Sequence, residues 1–166
     1  MTNSKIILGI DPGLGNTGWG VVRAEGNSLS FLAGGVIKTN AKEPSNHRLA
    51  HIHNELLGII KQYQPTAAAV EEVFVNSNAR TSLKLGQARG IALLVPSLSG
   101  LDVAEYTPLQ VKKAVVGYGR ADKSQVGTMV KMLLPTATFS SEDTADALAV
   151  AICHAHTASS LVKIAG

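Results

Sequence analysis

Cysteine is almost missing from this chain of 166 residues, Cys153 being the only one. A single thiol cannot close a disulfide within the chain, which fits a reducing compartment and makes the cytoplasm the expected location. Long hydrophobic runs are missing too. None approaches the roughly 18 residues of a membrane span, and residues 1–5 lack a basic stretch leading into an apolar signal core, so export is not expected. There is no internal repeat and no low-complexity linker. Charged residues make up only 16% and apolar ones 45%, the balance of a globular chain. One domain over residues 1–166 is expected, with residues 159–166 read as a tail. The net charge of +3 permits a polyanionic partner. Yet several of the 12 acids gather where a polyanion binder would not want them unless they hold metal.

What is there begins with Lys5 to Gly20, KIILGIDPGLGNTGWG. Ile6, Ile7, Leu8 and Ile10 form a short, nearly unbroken apolar run, the signature of a strand buried on both faces. It ends on Asp11, and Pro12-Gly13 follows as a turn, with proline presetting φ and Gly13 expected to take the positive φ of a type II turn. A carboxylate at the end of a central strand stands where sheet proteins display ligand-binding groups, although Asp before Pro also initiates turns. Gly13, Gly15, Asn16 and Gly18 leave the backbone bare, as if for a bulky anion. Residues 17–23 and 28–39 read as further strands joined by short turns, hence antiparallel.

A helix is expected from Pro44 to Tyr63, capped by Ser45. Residues 66–74 read as a fourth strand, parallel to the first because a helical crossover links them. It ends on Glu71-Glu72, whose side chains point to opposite faces in a strand, so at most one meets Asp11. The helix expected over 78–98 carries Gly86 and Gly90 on one face, at about 1 kcal/mol each against alanine. Another backbone should approach there, from the chain's own sheet or from a second copy in a symmetric dimer. A fifth strand at 101–107, a short helix at 108–116, the loop GYGRADK and a helix at 124–134 follow. Lys112, Lys113, Arg120 and Lys123 give this region a basic surface. The last helix is expected from Glu142 to about His156, with Ser140 and Asp143 at capping-box spacing. Asp143 and Asp146 share one face, and Ala147, Ala151 and Ala155 make a slim side. His47 and His51 stand i,i+4, but with no cysteine or acid motif beside them zinc is not expected. His154 and His156 read as surface residues.

Asp11, Glu71, Asp143 and Asp146 can converge if the first and fourth strands are neighbours and the last helix packs on them. Four carboxylates together repel, and some would retain protons. A pair of divalent cations about 4 Å apart removes the repulsion and suits in-line displacement at phosphorus. Oxygen-only ligands favour Mg²⁺ or Mn²⁺, and the basic loop would hold a phosphate backbone. The residues alone therefore point to a metal-dependent nuclease.

The segments GIDPGLGNTGWGVV, VEEVFVNSNARTSLKLGQARG, QVKKAVVGYGRADKSQV and EDTADALAVAICHAH lie in the order and spacing of one family. Over nearly its whole length the chain resembles the RuvC family of bacterial Holliday-junction resolvases. The resemblance implies an RNase H-like α/β fold, its five-stranded mixed sheet opening with an antiparallel meander and flanked by helices. It implies a homodimer that nicks opposite strands of a four-way DNA junction, leaving 5′-phosphate and 3′-hydroxyl ends. Its Mg²⁺ site, two ions with Mn²⁺ able to substitute, falls on Asp11, Glu71, Asp143 and Asp146. Phe74 matches an aromatic placed near the junction, Lys112 and Lys123 match basic residues tied to DNA binding and catalysis, and RuvA and RuvB are the expected partners. Rival readings keep the fold for an RNA–DNA hybrid, drop catalysis for DNA binding alone, or invoke a nucleotide-binding kinase relative, which needs two such domains.

Overall fold

The computed structural model describes residues 3–72 and 77–165, with side chains to residue 158. Phe74 lies outside the described residues. The chain opens with three strands, β1 (Ser4–Asp11), β2 (Asn16–Glu25) and β3 (Ser28–Lys38), then α1 (Ser45–Tyr63), β4 (Ala67–Glu71), α2 (Ala79–Leu98) and β5 (Asp102–Tyr106). Three helices finish it: α3 (Pro108–Val116), α4 (Lys123–Leu133) and α5 (Glu142–Ala165). The sheet order is β3-β2-β1-β4-β5. β1 to β3 form an antiparallel meander, and β4 and β5 add in parallel beside β1. The helical crossover from β3 to β4 forces the parallel arrangement, as the sequence implies.

Each face of the sheet has its own core. On one, α1 and α2 supply Ile52, Leu56, Ala88, Ala92 and Val95 against Leu8, Ile10, Val21 and Val70. On the other, α5 with α3 and α4 covers Ile7, Val22 and Ala69. Among the described residues no helix is long and apolar enough to cross a membrane.

The α5 face is flat for a specific reason. Gly34, Gly20, Gly9, Ala69 and Ala104 are register partners, one on each strand, and form a row across the whole sheet. The helix lies directly on it. A Cβ on Gly9 would stand 2.0 Å from the Ala147 carbonyl oxygen, and one on Gly20 would stand 2.4 Å from Leu148 Cδ2. Thr144 fixes the crossing, donating from Oγ1 to the Gly35 carbonyl at 3.0 Å. The slim alanine side expected of the last helix is the side that makes this contact, with Ala151 Cβ 3.0 Å from the place a Gly9 Cβ would occupy.

Local details depart from the sequence reading. Gly13 is not among the positive-φ glycines, which are Gly26, Gly100 and Gly117, so the turn after Asp11 is not the expected type II. Glycine is needed there because a Cβ would lie 2.2 Å from the Asn16 carbonyl oxygen. The turn is tied instead by side chains. Thr17 Oγ1 donates to the Gly13 carbonyl, Thr39 Oγ1 to the Leu14 carbonyl, and the buried Arg48 donates from Nε to Thr39 Oγ1 at 2.9 Å. Ser45 does not cap α1; it is the first helical residue, and Pro44 stands at the cap without a side-chain bond. At α5 the Asp143 N–H donates to Ser141 Oγ, one residue on from the expected Ser140. The helix also continues past His156 to Ala165. His154 is half-buried rather than on the surface, its Nδ1 sharing a 2.7 Å hydrogen bond with the Tyr106 hydroxyl.

Gly9→Ala should destabilise the protein by more than about 3 kcal/mol, since backbone must move to admit the methyl. Gly58→Ala, in α1 with open space around it, should instead stabilise by about 0.5–1 kcal/mol. Urea denaturation of both variants reads the contrast; equal effects would mean that α5 does not rest on β1.

Candidate active site

The row of side chains next to the glycine row, toward the carboxyl ends of the parallel strands, carries the chemistry. Asp11 is two residues beyond Gly9 and Glu71 two beyond Ala69, so strand alternation puts both on the α5 face. Gly18 pairs with Asp11 in register. A Cβ on Gly18 would lie 2.0 Å from the Asp143 carbonyl oxygen. The glycine that the sequence reading left bare for a ligand therefore makes room for the first turn of α5. That contact brings Asp143 and Asp146, i,i+3 on the helix, over the ends of β1 and β4. One cavity of about 450 Å³ is lined by Asp11, Glu71, Asp143, Asp146, Lys112 and Lys123.

Glu72 lies just beyond the end of β4, exposed, and stands on the rim of the same cavity. Its N–H donates to the Tyr106 carbonyl at 2.8 Å. Lys123 opens α4, and its Nζ lies 3.6 Å from Asp146 Oδ2. Lys113 and Arg120 are exposed and do not line the cavity. Leu85, Val111, Val126 and Ala149 give it an apolar wall that a reading of charges alone does not find. The signal for Val111 and Val126 was their place on the core side of two amphipathic helices. Among the described residues, a Cβ added at Gly86 or Gly90 would meet nothing within 4 Å. The chain's own sheet is therefore not what those glycines admit; α2 packs inward through Ala88, Ala92 and Val95.

The carboxyls are held in a place that opposes their charge. Burial, then the charges of Glu71, Asp146 and Asp143, push Asp11 up to about 8. Burial and the Asp146 charge push Glu71 up to about 7, and its side chain hydrogen-bonds Asp11. Two carboxyls so placed share a proton near neutral pH. Asp146 is raised by burial, with Lys123 pulling the other way. That ammonium is raised in turn, chiefly by the Asp146 charge. Every acidic donor in the cavity is a carboxylate oxygen. Among the described residues no three His, Cys, Asp or Glu side chains are closed up enough to hold a metal ion by themselves.

The family model described as crossover junction endodeoxyribonuclease RuvC matches residues 7–154. The chain belongs to the RuvC family. A RuvC relative from Xanthobacter autotrophicus, a crossover junction endodeoxyribonuclease, is 56% identical over 154 residues, covering 93% of this chain and 91% of its own. The solved structure of T. thermophilus RuvC in complex with a Holliday junction substrate superposes with a TM-score of 0.88 at 37% identity, covering 94% of this chain and 96% of that one. The yeast mitochondrial Holliday junction resolvase, at 14% identity and a TM-score of 0.67 over 95% of this chain and 80% of its own, shares the fold. The RNase H-like architecture implied by the RuvC resemblance is the one observed. As a RuvC-family enzyme the chain is an endodeoxyribonuclease that depends on a divalent metal.

The raised carboxyls have a measurable consequence. The folded-state value of Asp11 lies above its ordinary 3.8, so folding disfavours the charged form. The stability it withholds is nil below about pH 4, grows as pH rises, and levels off above about pH 8. In metal-free protein Asp11→Asn should therefore raise stability by about 1–3 kcal/mol at pH 8 and by almost nothing at pH 4. Thermal melts across that range test it; a gain independent of pH would remove the electrostatic cause.

Proposed function

We propose that this RuvC-family chain resolves four-way DNA junctions by paired symmetric nicks, using Asp11, Glu71, Asp143 and Asp146 as metal-holding catalytic acids. The observation that carries this reading is the meeting of four carboxylates from two strand ends and one helix, in a cavity that also contains Lys112 and Lys123. Oxygen-only donors suit Mg²⁺, with Mn²⁺ able to substitute. Mg²⁺ usually keeps waters and takes one or two carboxylates plus substrate phosphate oxygens, so an unclosed ligand group fits it. When bound, two such ions supply an activated water and stabilise the leaving 3′-oxygen, leaving 5′-phosphate and 3′-hydroxyl ends.

The chain's own groups do the rest. Asp11 and Glu71 give up their shared proton as cation binds, so binding tightens with rising pH. Lys123 holds one positive charge at the mouth, steadies Asp146 before DNA arrives, and can turn toward a phosphate oxygen. Lys112 flanks the cavity as a second cation, and Lys113 and Arg120 extend the positive surface for the DNA backbone beyond it. The apolar wall of Val111, Val126 and Ala149 limits water around the reacting phosphate. Phe74 keeps its proposed role beside the junction from the family resemblance alone.

A junction with two-fold symmetry calls for two sites, which a homodimer supplies. Exposed Leu83, Gly86, Gly90 and Leu94 recur along one face of α2, and there the helix could meet its copy. RuvA and RuvB as partners, and the cytoplasm as the place of action, follow from the same family reading.

Asp11→Asn, Glu71→Gln, Asp143→Asn and Asp146→Asn should each lower junction cleavage at least about 10³-fold while junction binding stays within about threefold. The assay compares a synthetic four-way junction with linear duplex and RNA–DNA hybrid in Mg²⁺. Near-normal cleavage by one variant removes that acid from the site, and cutting of the hybrid alone hands the fold another substrate. Gly86→Leu should shift the sedimentation coefficient to that of a monomer; an unchanged value removes this face from the dimer.

A further inference from the structure

The loop between α3 and α4 carries an aromatic ring outside the acid-lined cavity. Tyr118 is 48% exposed, and beside its loop Leu109 is 51% exposed. Gly117 leaves α3 in the left-handed region at φ 99°. Gly119 then lets the loop close over α3, where a Cβ would stand 2.4 Å from Leu109 Cδ1 and 3.3 Å from Lys113 Cε. The ring does not swing freely. Its hydroxyl accepts a 2.7 Å bond from Gln125 Nε2. Gln125 is itself fixed by the α4 capping box: its Oε1 accepts from the Asp122 N–H, and its N–H donates to Asp122 Oδ1. Lys123, which reaches Asp146, lies inside that same first turn.

The setting is that of a site for nucleic acid with unpaired bases. A half-exposed ring and a half-exposed leucine share the segment 108–123 with Lys112, Lys113, Arg120 and Lys123. Cations take phosphates, and a fixed ring offers a face to a base of any sequence. Asp122 adds an acid, but its Oδ1 accepts from both Ser124 Oγ and the Gln125 N–H. Lys123 and Gln125, two positions apart, leave α4 on different sides, so their ends are separated by up to about the 10–12 Å width of a helix, and nucleotides repeat at about 3.4 Å along a strand. A strand with its phosphate at Lys123 therefore passes the ring within about three nucleotides.

Resting on the junction-nuclease reading, we infer that Tyr118 is a stacking platform for a nucleobase of the junction strand next to the cut. The ring supplies the contact, and the Gln125 bond ties it to the first turn of the helix that carries Lys123.

The test uses the full chain and a synthetic four-way junction carrying 2-aminopurine at successive positions around the crossover, with Ca²⁺ in place of Mg²⁺. Wild type should quench emission about twofold or more at a position within three nucleotides of the cut. Tyr118→Ala should lose that quench and bind the junction about fivefold more weakly, with an unchanged melting temperature. Tyr118→Phe, which keeps the ring and loses the hydroxyl, should retain most of both. Wild-type emission and affinity in Tyr118→Ala overturn the inference. So does an equal loss in both variants, which would make the residue a brace through Gln125. Wild-type cleavage in Mg²⁺ is measured alongside: normal cutting with a silent Tyr118→Ala defeats the stacking alone, whereas no cutting of the junction defeats the reading beneath it.

Discussion

The close seat of α5 on the row Gly34, Gly20, Gly9, Ala69 and Ala104 is the contact on which the rest of this structure depends. With nothing larger than a methyl in the row, and no side chain at Gly9, helix backbone meets strand backbone there: a Cβ on Gly9 would stand 2.0 Å from the Ala147 carbonyl oxygen. The same descent presses the Asp143 carbonyl onto Gly18, the register partner of Asp11. Two carboxylates on a helix thereby meet two at strand ends. The α3–α4 pair then closes the open side, bringing Lys112 and Lys123 and the apolar wall. A bulkier row would leave the acids in the sequence and take away their meeting.

That meeting works against the fold. Burial and mutual repulsion lift Asp11 and Glu71 to near neutrality, so in the absence of a cation the ionised site destabilises the chain. Such stored opposition is common where function, not stability, sets the residues. The protein tolerates it because the surrounding core is apolar on both sheet faces and the strand ends are tied down. Thr17 and Thr39 fix the turn after Asp11, and Thr144 anchors α5 on Gly35. Lys123 offsets part of the charge from the solvent side, where it stays exposed.

Much of this was legible in the sequence, and the parts that were not share a cause. Local signals sufficed for the strands, for the helices and for the parallel relation of β4 to β1, because apolar period, turn residues and crossover length act over short stretches. Asp11, Glu71 and Asp146 stood out because each borders an apolar run, and Asp143 because it shares a helix face with Asp146. The glycine row was hidden: Gly9, Gly20 and Gly34 become neighbours only once register is set, and register is a long-range property. For the same reason Gly18 looked like clearance for a ligand and Gly13 like a type II turn. Glu71 was chosen over Glu72 on the family motif alone, because strand alternation says only that the two point to opposite faces; β4 ends on Glu71, and Glu72 stands exposed just past it. Arg120 and Lys113 lie near Lys123 in sequence, yet they do not line the cavity: Lys113 is one position round α3 from Lys112, a turn of about 100°, and Arg120 sits in a loop with no period to follow.

Because α5 rests on main-chain atoms at Gly9 and Gly18, the spacing between the acid-bearing helix and the acid-bearing strand is set by atomic radii. Rotamer changes cannot alter it at those two positions, since neither glycine puts a side chain between the two backbones. The gauge of the site is thus insensitive to the side-chain motion that accompanies warming or neighbouring substitution. Its distances can drift only if an entire helix lifts, an all-or-none event that also uncovers the core beneath it.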